Sequence, residues 1–225
     1  MFQNIKNSID FFIRNTTKFS RKNFQEKSEE KLLHNYLENL YTYDVLDKFI
    51  IKIPYDKARI LDIGCKNWFY AKGEYNFFKT FIKKPCLDGV EIDAYRLYSN
   101  FYSRFETAKF YTKGLTNTNY IAGNLLEIKE NYNFIIWILP FVSIEPHRYW
   151  GLPEKFFMPE KLLQHAYKIL EHNGQMLIIT QGEKEALIQK QMLDKLRIKY
   201  EEKGIVKSEF MEYKNNRYAF LIKKD

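Results

Sequence analysis

The residues best suited to chemistry stand at the ends of two apolar runs. The first run is Ala58-Arg59-Ile60-Leu61-Asp62-Ile63-Gly64-Cys65, and the second is Cys86-Leu87-Asp88-Gly89-Val90-Glu91-Ile92-Asp93. Each reads as a buried strand that ends in a turn or in acids. A nucleoside-type ligand at the carboxyl ends of parallel strands needs this pairing: a turn where backbone can approach closely, then a carboxylate for ribose hydroxyls. Gly64 would make the turn, and Asp62 and Glu91 would supply the acids. Asp93 competes with Glu91 for the same role, and Asp62 could instead cap the helix that follows.

The glycine pattern narrows the ligand. A dinucleotide turn carries G-x-G-x-x-G, so that backbone amides cradle a pyrophosphate. Here Gly64 stands alone, with Lys66 and Trp68 where further glycines would fall. A ligand without phosphates, adenosine at one end and an amino acid at the other, suits this turn better. A further group lies in residues 141–157, where Glu145, His147, Arg148, Tyr149 and Trp150 follow an apolar run. His147 could act as a general base on a substrate hydroxyl or amine. The plainer alternative is a surface loop whose aromatics pack down on the fold. His34, His165 and His172 fall on expected helices or at a helix end, and the four histidines show no metal spacing.

These groups need a sheet to position them, and the chain can build one. It has 225 residues, enough for one α/β domain with an appendage. From residue 58 on, strand and helix patterns alternate. Strands are expected at 59–63, 87–92, 120–123, 134–139 and 175–180, and helices at 68–81, 95–105, 159–171 and 183–200. The run Phe134-Ile135-Ile136-Trp137-Ile138-Leu139 fits a strand buried on both faces. The helix over 159–171 should stop at a left-handed cap at Asn173 or Gly174. Two strands, 205–213 and 217–223, are separated only by Lys214-Asn215-Asn216, too short for a parallel crossover, so they form an antiparallel hairpin. Upstream, residues 2–15 have the spacing of an amphipathic helix, 16–27 read as a loop, and Ser28 would cap a helix running toward Pro54. The expected organisation is a helical appendage or lid over 1–53 and a sheet domain over 54–225.

Composition sets limits on the partners. The net charge is +8, with a pI of about 9.2. An acidic partner such as nucleic acid or an anionic membrane would explain this charge, but so would lysines spread over solvated faces. Lysines outnumber arginines and form no dense block, which fits the second account better. Two cysteines, Cys65 and Cys86, make neither a disulfide framework nor a zinc site and imply a reducing, cytoplasmic setting. No apolar run is long enough for a membrane span, and none reads as a secretory signal.

In order along the chain, these motifs resemble the class I S-adenosylmethionine-dependent methyltransferases over roughly residues 55–225. The resemblance rests on Ile60-Leu61-Asp62-Ile63-Gly64-Cys65, on Gly89-Val90-Glu91-Ile92-Asp93, on Gly123-Asn124-Leu125-Leu126, and on the segment from Leu170 to Ile178. It implies a three-layer Rossmann-like fold with a seven-stranded, mostly parallel sheet ordered 3-2-1-4-5-7-6 and closed by the terminal hairpin. It also implies S-adenosyl-L-methionine as cofactor. Asp62 would lie near the amino-acid end of that cofactor, while Gly64 and Cys65 bring backbone close to it. Glu91 would accept from both ribose hydroxyls. Ile92, Asn124 and Leu125 would surround the adenine, and Leu139 and Pro140 would line the site of transfer.

The departures shape the expected activity. Asp62 and Glu91 are 29 positions apart (62 to 91), against about 20 in typical nucleotide-binding units, so the segment 68–84 should enlarge the first loop or helix. Ile138-Leu139-Pro140-Phe141 lacks the polar residue and second proline of enzymes that methylate exocyclic amino groups, which argues against adenine-N6 or glutamine acceptors. The expected function is methyl transfer to a small molecule under an aromatic lid, with RNA as a further acceptor class. A catalytically inactive, methyltransferase-like binding or scaffold protein is the alternative, motivated by the thin glycine turn.

Overall fold

The computed structural model describes the backbone of residues 20–225 and the side chains of residues 33–225. The helix expected at 2–15 lies outside the described residues. The elements are α1 (Ser20–Phe49), β1 (Tyr55–Ile63), α2 (Ala71–Lys79), β2 (Ile82–Glu91), α3 (Arg104–Tyr111), β3 (Thr118–Ala122) and β4 (Tyr132–Ile138). They continue as α4 (Ile144–Tyr149), α5 (Pro159–Ile169), β5 (Leu170–Gln181), α6 (Gly182–Lys195), β6 (Glu201–Ile205) and β7 (Arg217–Lys223). The seven strands form one sheet in the order β3-β2-β1-β4-β5-β7-β6. All neighbours are parallel except those of β7, which runs antiparallel to β5 and β6.

Period-two alternation sends neighbouring residues to opposite faces and so builds two cores. Ile60, Phe134, Ile136 and Leu221 pack with Tyr41, Val45 and Leu46 of α1 and with Phe77 and Phe78 of α2. Leu61, Ile135, Ile178 and Phe220 pack on the other face, with Leu163 and Ala166 of α5 and Leu193 of α6. The result is three layers, as expected.

Two polar locks tie α1 to the sheet domain. Asn39 accepts from the Gly73 amide at 2.7 Å and donates to the Phe69 carbonyl at 2.8 Å. A Cβ on Gly73 would lie 2.3 Å from the Asn39 carbonyl oxygen, so only glycine allows this approach. Beyond α1, Gln175 of β5 exchanges two 2.9 Å hydrogen bonds with the backbone of Ile51.

Several boundaries differ from the sequence expectation. α1 is already helical at Ser20, ahead of the expected cap at Ser28. The helix placed at 95–105 instead begins at Arg104, because Ser103 and Glu106 form a reciprocal capping box there. The extra length between Asp62 and Glu91 does not enlarge a loop. β2 begins at Ile82 opposite Tyr55, and the added residues extend the β1–β2 ladder. Asn173, at φ 61°, does not cap a helix but lies within β5, near a register shift against β4. β6 covers Glu201–Ile205 rather than 205–213, so residues 206–216 form a long connection, not a tight turn.

Candidate active site

The strand order reverses between β1 and β4, which is where open α/β sheets bind ligands beyond their carboxyl ends. A cavity of about 290 Å³ opens there. That volume lies near the lower end of the range for small-molecule sites, roughly 300–1,000 Å³. Of the residues expected at the site, Gly64, Glu91, Ile92, Asn124, Leu125, Leu139 and His147 line the cavity. Asp62 and Cys65 are fully buried behind it.

The turn after β1 keeps the path of a glycine-rich loop without the glycines. Gly64, Lys66 and Trp68 all adopt left-handed backbone, at φ 73°, 54° and 50°. For a residue with a side chain this region costs roughly 1–2 kcal/mol, so packing must hold it. The Trp68 ring is fully buried, and its Nε1–H donates to Glu74 Oε2 at 2.9 Å. The Lys66 ammonium lies 4.1 Å from the centre of the Trp150 ring. At Gly64 nothing lies within 4 Å of where a Cβ would be, so this point of the backbone is open for close approach.

Asp62 does not cap α2, which has no side-chain cap. Its Oδ2 accepts from the Tyr70 hydroxyl at 2.9 Å, while Oδ1 is buried without a partner. Tyr70 lines the cavity, so Asp62 faces the site through that hydroxyl. Burial pushes the Asp62 carboxyl up to about 8, and the Tyr70 hydrogen bond only partly opposes this. The buried Glu74 carboxyl is raised in the same way, first by burial and then by Asp62. Cys65 packs its thiol inward, and burial raises it as well.

Glu91 is held from three sides. Its Oε2 accepts from the Lys66 amide at 3.0 Å, and its Oε1 accepts from the Asp93 amide at 2.7 Å. Arg104 Nη1 stands 3.4 Å from Oε1 and 3.3 Å from Asp93 Oδ2. A carboxylate oxygen has two acceptor positions, so Oε1, with two donors, is filled, and Oε2 keeps one for a ligand. Asp93 is drawn instead toward Arg96 and Arg104. Both acids line the cavity. Burial, then the Arg104 charge, lowers the Lys66 ammonium.

At the β3 end, the Asn124 side-chain Oδ1 accepts from Leu126 N–H at 3.0 Å and caps a 3-10 turn over Leu125–Glu127. At the β4 end, Leu139 has φ 58°, rare for a branched side chain, and donates its N–H to Ile179 at 2.7 Å. Segment 141–157 folds onto the cavity as α4 and a 3-10 turn. His147 is buried between Phe141 and Phe157, and its Nε2 donates to the Pro153 carbonyl at 3.0 Å, leaving Nδ1 as its acceptor.

Sequence reasoning missed contributions from three elements. Arg104 reaches Glu91 from α3, Glu38, Tyr41 and Thr42 enter from α1, and Arg217 enters from β7. Only Ser103-x-x-Glu106, which sets where α3 begins, carried a local signal for any of them.

No family model matches the chain. A structure described as a SAM dependent methyltransferase from Aquifex aeolicus superposes with a TM-score of 0.57 over 82% of this chain and 89% of that one, at 13% identity. A precorrin-6y C5,15-methyltransferase from Geobacter metallireducens GS-15 gives 0.54 over 82% and 87%, at 11% identity. The fold is that of the class I methyltransferases. A curated relative, ribosomal RNA small subunit methyltransferase C of Aliivibrio salmonicida (strain LFI1238), is 28% identical over 147 residues, 64% of this chain. The chain spans 38% of the length of that relative. On the methyltransferase fold, Glu91 ends the second strand and the turn at Gly64 follows the first, as the motif order implied.

Proposed function

We propose that the protein transfers a methyl group from S-adenosylmethionine to a small-molecule acceptor. The observation that carries this reading is Glu91, an oriented carboxylate with an acceptor position left on Oε2, on the same cavity as the open turn at Gly64. The bound donor would supply a methyl group on a sulfonium. Glu91 would accept from the ribose diol, and Ile92 and Leu125 would flank the base. Asp62 would act through Tyr70 toward the amino-acid end. Leu139 and Pro140 would wall the point of transfer and exclude water. Transfer to a good nucleophile runs on positioning and desolvation, which an apolar wall provides. Where the acceptor must lose a proton, His147 would take it at Nδ1. His147→Gln should then slow transfer by about 10²-fold or more, in a labelled-donor assay against a fractionated cell extract.

The first test is binding. S-adenosylhomocysteine at 100 times its Kd should stabilise the protein by about 2.7 kcal/mol, read as a rise in Tm. Glu91→Ala should remove that rise. No shift at millimolar ligand refutes the reading, and binding without turnover on any extract fraction refutes the activity in favour of a scaffold. The relative that acts on ribosomal RNA and the net charge of +8 favour RNA as a second acceptor class. In that case affinity for RNA should fall steeply with added salt.

A further inference from the structure

Arg217 has no role in the reading above, yet it is the most unusual cation in the molecule. It is the first residue of β7, opposite Gln181, the last residue of β5. It therefore stands at the carboxyl edge of the sheet, with β5 between it and the end of β4. It is 9% exposed, lines the cavity, and has no ion-pair partner among the described residues. Its Nε is buried without a hydrogen-bond partner. The guanidinium carbon lies 3.3 Å from the centre of the Tyr213 ring and 5.1 Å from that of Tyr41. Glu38 lines the same cavity and stands 3.6 Å from His34, and no ion pair joins it to Arg217. Burying a cation without a counter-charge is costly, and two aromatic faces offset that only in part. A group held at such cost beside a cavity is suited to a ligand that brings the missing charge.

Distance separates this end from the nucleoside end. From Glu91 on β2 to Arg217 on β7 there are four inter-strand steps, about 19 Å at the usual spacing. A donor held at Glu91 with its reactive centre at the end of β4 uses two of them. The remaining two, β4 to β5 to β7, lie on the acceptor side.

We propose that this end is the acceptor subsite and that it binds a carboxylate carried on a flat, apolar body. The inference rests on the methyltransferase reading. The planar fork of arginine matches a carboxylate, and Tyr41, Phe141 and Phe157 give the cavity wall aromatic groups. A single cation matches a single negative charge. The other cations on the cavity wall, Lys66 and Arg104, are engaged at the Glu91 end. A polyanion backbone would need several cations along its track.

The test uses the full chain with and without saturating S-adenosylhomocysteine, and benzoate and benzamide as a matched acid and amide. Benzoate should bind about tenfold tighter than benzamide or better and should move the Arg217 side-chain N–H resonance in NMR spectra. Arg217→Gln should abolish the difference, and Arg217→Lys should keep part of it. All three proteins should keep the same Tm rise with S-adenosylhomocysteine. Equal binding of acid and amide by the unmodified protein overturns the proposal, and so does a preference that survives in Arg217→Gln. If Arg217→Gln does not fold, the acid–amide pair and Arg217→Lys decide. A ribosomal RNA fragment whose binding depends on Arg217, with benzoate inert, also overturns it. Loss of the S-adenosylhomocysteine shift in the unmodified protein would instead refute the methyltransferase reading, while the acid–amide comparison made without it still reports on Arg217.

Discussion

Asp62 and Glu74 show how the fold changes what a side chain can be. Both are fully buried, each with one oxygen that has no partner. Asp62 titrates near 3.8 when unperturbed and is pushed up to about 8 in the fold by desolvation. Its folded value is raised, so its stabilising contribution is fully present below about pH 4 and is lost as pH rises through about 8. Tm should therefore fall between about pH 4 and pH 8, where the unfolded acid is ionised while the folded one still holds its proton, and level off above that. Asp62→Asn, which can still accept from Tyr70, should flatten that fall in a pH series of thermal melts. A slope that Asp62→Asn leaves unchanged would place the titrating group elsewhere. Glu91 differs because three donors converge on it. Its type and strand-end position were legible in the sequence. The arginine that folds back from α3 onto both Glu91 and Asp93 was not.

Among the elements, α1 carries more of the site than its place ahead of the sheet suggested. It packs on α2 through Asn39 and Gly73, and one turn of it supplies Glu38, Tyr41 and Thr42 to the cavity. Gly73→Ala would drive a methyl group into the Asn39 carbonyl at 2.3 Å. Overpacking of that kind costs about 1–3 kcal/mol. The variant should melt earlier and bind acceptor-side ligands more weakly, while S-adenosylhomocysteine binding at Glu91 changes little. Denaturant titration and calorimetry check the two halves. Strand identities were legible because apolar runs and period-two alternation are local. The ends of β2, β5 and β6 were not, since pairing with a neighbour decides where a ladder stops.

Taken together, the layers close one cavity at the carboxyl edge of the sheet. Its walls come from α1, β1, β2, β4, the 141–158 segment and β7. A ligand that occupies it should therefore couple distant parts of the chain. S-adenosylhomocysteine should slow amide hydrogen exchange around residues 64–66 and 91–93 directly. A bound acceptor analogue should extend that protection to 38–42 and 217, and protection confined to the β1–β2 edge would argue against a shared cavity.

The order of apolar runs, the lone glycine after the first strand and the acid after the second were enough to determine the parallel sheet, its antiparallel end and the Gly64–Glu91 side of the cavity. These depend on neighbours within a few residues, which sequence displays. Tertiary structure alone decided that Lys66 and Trp68 follow a glycine path, that Asp62 reaches the site through Tyr70, and that an unpaired arginine from the last strand meets the first described helix across the cavity. Each depends on contact energies between groups far apart in the chain, and no local pattern encodes them.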